Sequence, residues 1–261
     1  MRKLILQVCS SLWFLSQPLW AAPSNADWQD IKYIERAFIE VALKNEYRQT
    51  DMRLIKWQAP IHYQFTYLGL PKNPFIENLT TTHLAQLQTI TKHSIAPTES
   101  GQRPNLEIIF TQDQHYQTAI KRYIQKDSKA LSRQSNCSGS FRLNNHHEII
   151  DAKVVIPVDY AMSRGLLPAC IVEETTQVMG LPNDSDWVYP SIANDKSKVD
   201  LLTGLDYILL KLLYSHFLKP GMSIKEIHPI LNRTLKRWQA SGVIENASQK
   251  VKQSGLYPLV Y

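Results

Sequence analysis

Apolar residues within 27–46 recur every three or four positions: Trp28, Ile31, Ile34, Phe38, Val41 and Ala42. That period gathers them on one face and predicts an amphipathic helix docked on a core. The period then changes to two. Ile61, Tyr63, Phe65 and Tyr67 alternate with His62, Gln64 and Thr66, which predicts a half-buried strand stopped by Gly69 and Pro71. A second helix is predicted through Leu84, Leu87 and Ile90 to about His93, with Thr80, Thr81 or Thr82 as its cap. A loop around Pro97, Gly101 and Pro104 leads into a short apolar strand over 106–110, and 116–123 again has helical spacing.

Residues 126–145 are polar, include Gly139, and predict a surface loop tied down by Cys137. The next strand covers 149–158, with Val154, Ile156 and Val158 on one face. Pro168 opens a helix that runs through Cys170, Val172 and Gln177 until Gly180 and Pro182 stop it. After a loop over 183–202, Leu205, Ile208, Leu209, Leu212 and Leu213 mark an apolar helix over 203–217. Ser223 caps a last amphipathic helix to about Trp238. No repeat or Pro/Ser-rich linker divides the chain, so the pattern predicts one α+β domain over 23–261 with a helical C-terminal part at about 203–240.

Composition adds the compartment. The 261 residues are 44% hydrophobic and 20% charged, which fits a filled core and excludes a disordered or fibrous chain. Arg2 and Lys3 precede an apolar stretch over 4–20, followed by the small residues Ala21 and Ala22. This is the layout of a signal peptide over 1–22, cut near 21–26. Ser10, Ser11, Ser16, Gln17 and Pro18 interrupt the stretch, whereas a membrane anchor wants about 20 apolar residues in a row. No later segment is apolar enough to span. The expected location is therefore secreted or periplasmic. The net charge of +6 falls to +4 without Arg2 and Lys3, too mild and scattered to predict nucleic acid as a partner. Cys137 and Cys170 remain after cleavage, and an oxidising compartment predicts a disulfide between them. A thiol nucleophile at Cys170 is the weaker reading, because a bridged sulfur offers no thiolate.

One segment carries candidate chemistry: Cys170-Ile171-Val172-Glu173-Glu174-Thr175-Thr176-Gln177-Val178-Met179-Gly180-Leu181-Pro182-Asn183-Asp184. On a helix Glu173 and Gln177 lie one turn apart on one face, with Glu174 rotated to its rim. Gly180 permits a sharp turn that returns Asn183 or Asp184 toward them. The spacing resembles the zinc-peptidase motif H-E-x-x-H-x-x-G-x-x-H, in which helical histidines bind metal and the glutamate activates water. Glu173, Gln177 and Asn183 stand at the histidine positions, and Glu174 and Gly180 at those of the glutamate and glycine.

The chain as a whole resembles a bacterial exported family known as domain-of-unknown-function family 2927. Trp57, the Cys137 loop, the segment from Cys170 to Gln177 and Gly180-Leu181-Pro182-Asn183-Asp184 carry the likeness. So do Leu212-Leu213-Tyr214 and Lys219-Pro220-Gly221-Met222. The resemblance implies a zincin-like, metallopeptidase-like fold: a mixed twisted sheet, an active-site-type helix beneath it and a helical C-terminal part. Pro190-Ser191-Ile192 then falls where such peptidases have a Met-containing turn.

The substitutions limit the chemistry. Zinc prefers imidazole and thiolate, whereas Glu173, Gln177 and Asn183 offer only oxygen donors, two of them neutral amides. No cofactor is predicted on this basis. A divalent hard cation on Glu173, Gln177, Asn183 and Asp184 is one alternative, and a hydrogen-bonded network that fixes the turn is another. A third is a metal-free carboxylate pair with Glu174 as general base. His146-His147-Glu148 is the densest group of nitrogen ligands, and exposed loop is its ordinary explanation. The basic residues Lys211, Lys219, Lys225, Arg233, Lys236, Arg237, Lys250 and Lys252 suit an acidic partner or an anionic surface, but are also ordinary on exposed helices. The expectation is a non-catalytic binding or scaffolding module for a peptide or envelope component. The alternative is a peptidase-like hydrolase with Glu174 as general base and an unconventional metal site.

Overall fold

The computed structural model describes residues 27–44, 52–124, 136–194 and 196–260, so the expected signal peptide over 1–22 lies outside the described residues. Among them, α1 (Ile31–Leu43) takes the predicted docking face, with Ile34, Phe38, Val41 and Ala42 buried and Asp30 accepting the Tyr33 backbone N–H as N-cap. The short β1 (Lys56–Trp57) precedes β2 (Ile61–Leu68), which ends at Gly69 as expected. Helix α2 (Pro74–Thr91) starts a turn and a half before the predicted threonine cap. Asn73 caps it, with Pro74 in the first turn. Thr80 and Thr81 instead bond the carbonyls of residues four back, inside the helix, and Thr82 donates to the Asn78 side chain.

β3 (Ile95–Pro97) was not predicted. It lies at the sheet edge, the position that tolerates proline. β4 (Leu106–Thr111) and α3 (Asp113–Ala119), which ends in a π-turn over Ile120–Ile124, follow. The described part of the expected loop contains β5 (Ser138–Leu143). It forms a strand because it pairs antiparallel with the long β6 (Glu148–Pro157). Val158 opens α4 (Val158–Ser163) instead of closing the strand. Then come α5 (Leu167–Gln177), α6 (Gly204–Leu213) and α7 (Ile224–Ala240). α7 is capped by Ser223 as predicted but is not the last helix: α8 (Ala247–Lys252) and α9 (Tyr257–Val260) come after it.

The main ladder runs β5-β6-β4-β2-β3. Strands β6, β4, β2 and β3 are mutually parallel, and β1 pairs parallel with the start of β6. This mixed sheet with its helices is the α+β class that the hydrophobic pattern predicts. The two faces separate by residue parity. Ile108, Phe110, Val154 and Ile156 join the large core with α1, α2, α5 and α6, while Ile109 and Val155 pack with Tyr116, Ala119 and Ile120 of the α3 region. Burial on both faces explains why β6 reads as a near-continuous apolar run.

The Cys137–Cys170 disulfide forms as expected and joins the entry to β5 with the first turns of α5. It closes 33 residues, which is worth about 3–4 kcal/mol in the chain-entropy picture. Replacing both cysteines by serine is expected to lower the unfolding free energy by about 3 kcal/mol in a urea titration. An unchanged midpoint would contradict this.

Candidate functional site

Helix α5 ends inside the protein, so its last carbonyls need partners other than water. The turn after it supplies four donors: the Val178 and Met179 N–H groups bond the Glu174 and Thr176 carbonyls, and the Gly180 and Leu181 N–H groups both bond the Gln177 carbonyl, at 2.9 and 3.2 Å. Distant side chains then satisfy the carbonyls of the turn itself. The Trp57 indole N–H of β1 donates to the Val178 carbonyl at 2.8 Å, and the Tyr214 hydroxyl after α6 donates to the Met179 carbonyl at 2.8 Å. Burial pushes the Tyr214 phenol up, so it remains a donor at any ordinary pH. Gly180 has φ +112°, and a Cβ there would lie 2.5 Å from the Ile55 carbonyl oxygen. Only glycine fits between this turn and β1.

Lys56, the neighbour of Trp57, performs the same service for α6. Its buried ammonium donates to the carbonyls of Leu213, Ser215 and Leu218 at 3.0, 3.4 and 2.6 Å. Burial, aided by nearby Lys219, lowers its pKa to about 8.

The turn brings some of the sequence-predicted site residues together. Gln177 donates its amide N–H to an Asp184 carboxylate oxygen at 2.8 Å. The Asn183 side chain turns away and donates to the Asp184 backbone carbonyl at 2.8 Å, while its own N–H reaches the Val41 carbonyl of α1 at 3.3 Å. Glu173 is half-exposed on α5, one turn before Gln177. Glu174 is only 5% exposed and faces elsewhere: its Oε2 sits 2.9 Å from where a Cβ on Gly139 of β5 would be. The edge strand covers this carboxylate, and the absent side chain at Gly139 makes the room for it. His147, with φ +63°, packs against Gly221, where an added Cβ would lie 3.5 Å from its Nδ1. His146 is exposed, with its N–H on the Asn144 side chain. Among the described residues no group of three or more His, Cys, Asp or Glu is placed to hold a metal ion.

A second anchor holds the loop that follows. Ser191 and the backbone N–H groups of Ile192 and Thr203 all donate to the buried Asp206 carboxylate, which also closes the capping box of α6. The Pro190-Ser191-Ile192 turn, entered through a cis Tyr189–Pro190 bond, is thereby fixed to α6. Tyr33 of α1 secures its other side, accepting the Tyr189 N–H at 2.7 Å and donating to the Tyr189 carbonyl at 2.8 Å.

Sequence reasoning missed Lys56, Asp206 and the fully buried His83 of α2, whose Nε2 lies 3.4 Å from the Thr176 hydroxyl of α5. Signals existed for the first two: a lone charge in the run Leu54-Ile55-Lys56-Trp57, and an acid three residues after Thr203. His83 has none.

These elements define an α+β protein whose α5 turn is anchored from three directions. Its family is shown by comparison: residues 31–233 match the family described as protein of unknown function (DUF2927), and the chain belongs to it. Neither the curated proteins nor the solved structures contain a match.

Tyr214→Phe strands the Met179 carbonyl and is expected to cost about 1–3 kcal/mol in a urea titration. No loss would mean that another donor replaces the phenol.

Burial lowers His83 to about 4 from 6.5, so its contribution to stability is full above pH 6.5 and disappears as the pH falls toward 4. Burial raises Asp206 to about 6 from 3.8, so it adds stability in the opposite sense, as the pH falls from 6 to 3.8. Each effect is about 3 kcal/mol and they oppose each other. Asp206→Asn should therefore lose unfolding free energy more steeply than wild type between pH 6.5 and 4, and His83→Asn less steeply. Parallel curves for the three proteins would contradict these assignments.

Proposed function

We propose that this protein is an exported, non-catalytic binding module built on a zincin-like scaffold, with the single domain over 23–261. Several features support the scaffold: four parallel strands with an antiparallel edge strand, helix α5 packed beneath β5 and β6, the Gly180 turn, and the anchored Pro190-Ser191-Ile192 turn. The observation that carries the non-catalytic reading is the pair Gln177 and Asp184. A carboxylate accepts only, so the Gln177 amide must present its N–H there, and Asn183 likewise spends its amide as a donor. Each amide keeps its carbonyl oxygen, but neutral amide oxygens and carboxylates are poor replacements for the imidazole and thiolate that zinc prefers. Zinc therefore does not fit these residues, and a divalent cation on Asp184 would share its carboxylate with the Gln177 amide.

The ligand class follows from β5. Among the described residues no strand pairs with its outer edge, and an extended peptide added there as a further strand would pair with its backbone. An envelope protein with an unpaired segment is the partner this suits. The second reading, hydrolysis with Glu174 as base, meets the obstacle that Glu174 is buried beneath Gly139.

Peptides from a digested, denatured protein, passed over the immobilised protein, should be retained and recovered uncleaved from wild type and Glu174→Gln alike. Cleavage by wild type that Glu174→Gln abolishes, with stoichiometric metal in protein purified without chelators, would establish the hydrolase instead. Failure to retain any peptide would refute the binding reading.

A further inference from the structure

Elsewhere in this molecule several cations sit in ion pairs, although others, Lys72 and Arg103 among them, are exposed without one. Lys153 bridges Glu107 and Asp151, Arg142 faces Asp151, Lys196 faces Asp186, and Lys44 faces Glu40. The C-terminal helices stand apart in net charge. Residues 204–260 hold eight lysines and arginines against three carboxylates. Of those three, Asp206 is buried, and Glu226 is engaged by the Ser223 N–H and hydroxyl with Arg53 at 3.9 Å. Lys225, Arg233, Lys236 and Arg237 of α7 are exposed, and none forms an ion pair among the described residues.

Their placement on α7 is one-sided. Ile227, Leu231, Thr234 and Leu235 are the buried stripe. At about 100° per residue the four cations centre opposite that stripe, in a band roughly 18 Å long. Lys250 and Lys252 of α8 are exposed and unpaired as well. The apolar residues of α7 are used internally: Ile224, Ile230 and Trp238 pack on the core, and the Lys211 ammonium lies 5.6 Å from the Trp238 ring centroid. The face therefore offers positive charge without an apolar wedge.

We propose that this face of α7 docks the protein on an anionic phospholipid bilayer. Long, flexible, unpaired cations along one face of a helix match a plane of mobile phosphates, where each can find a counter-charge without a fixed partner geometry. An acidic protein would ask for shaped donors and an apolar centre, which this face lacks. With no inserted side chain the attachment is electrostatic and should be sensitive to salt.

The test measures sedimentation of the purified protein with phosphatidylcholine vesicles, with and without a minority of phosphatidylglycerol. Binding should require phosphatidylglycerol and disappear at high salt. Arg233→Gln, Lys236→Gln and Arg237→Gln combined should weaken it about a hundredfold, at roughly 1 kcal/mol per charge, with an unchanged melting temperature. Lys72→Gln with Arg103→Gln, which removes two exposed charges outside these helices, should leave it intact. Equal binding to both vesicle types, or wild-type binding by the triple variant, would overturn the proposal. So would binding to soluble polyglutamate but not to vesicles, which would assign the face to an acidic protein.

Discussion

Everything at the candidate site depends on how one buried helix end is satisfied. A helix leaves its final carbonyls without intrahelical partners, and burying them unpaired is costly. In α5 the cost is met by four N–H groups of the turn that follows, and the carbonyls of that turn are met in their place by an indole from β1 and a phenol from beyond α6. Lys56 does the same for the end of α6, so the dipeptide Lys56-Trp57 closes two helices at once. This explains why residues far apart in sequence make up one signature. Trp57, Gly180, Tyr214 and Gly221 meet around this junction, where Gly221 bonds the Leu54 carbonyl through its N–H. Their common property is structural: they hold a turn in place, whatever chemistry stands beside it.

That constraint gives the side chains around it their separate fates. Held by the turn, Asp184 meets Gln177 and Asn183 folds back on its own loop, while Glu174 points the other way under β5. The disulfide fixes β5 to α5 close to that carboxylate. A residue pattern spaced like a metal site thus becomes a hydrogen-bonded joint, and two adjacent glutamates lie in different environments, one half-exposed and one buried.

Much of the architecture is legible in the sequence wherever one local rule decides. The faces of α1 and β2, the proline opening α5, the box at Ser223 and the paired cysteines all follow from period, capping or compartment. Reading fails where tertiary partners decide. β5 is polar and contains Gly139, and it is a strand because β6 offers an edge. Three threonines in α2 imitate a cap but bond backward within the helix, and the true cap, Asn73, precedes a proline. At the site, the return of Asp184 to Gln177 is implied by Gly180. The donors that fix the turn are not, because an indole and a phenol 121 and 35 residues away leave no local trace.

The direct test of this account is amide hydrogen exchange at Val178, Gly180 and Leu181 in the native protein. If the helix end is held by Trp57 and Tyr214 as an integral part of the core, these amides exchange only with global unfolding and as slowly as those of β6. Exchange of the turn by local opening, while β6 stays protected, would show that the junction is not the constraint on which the site is built.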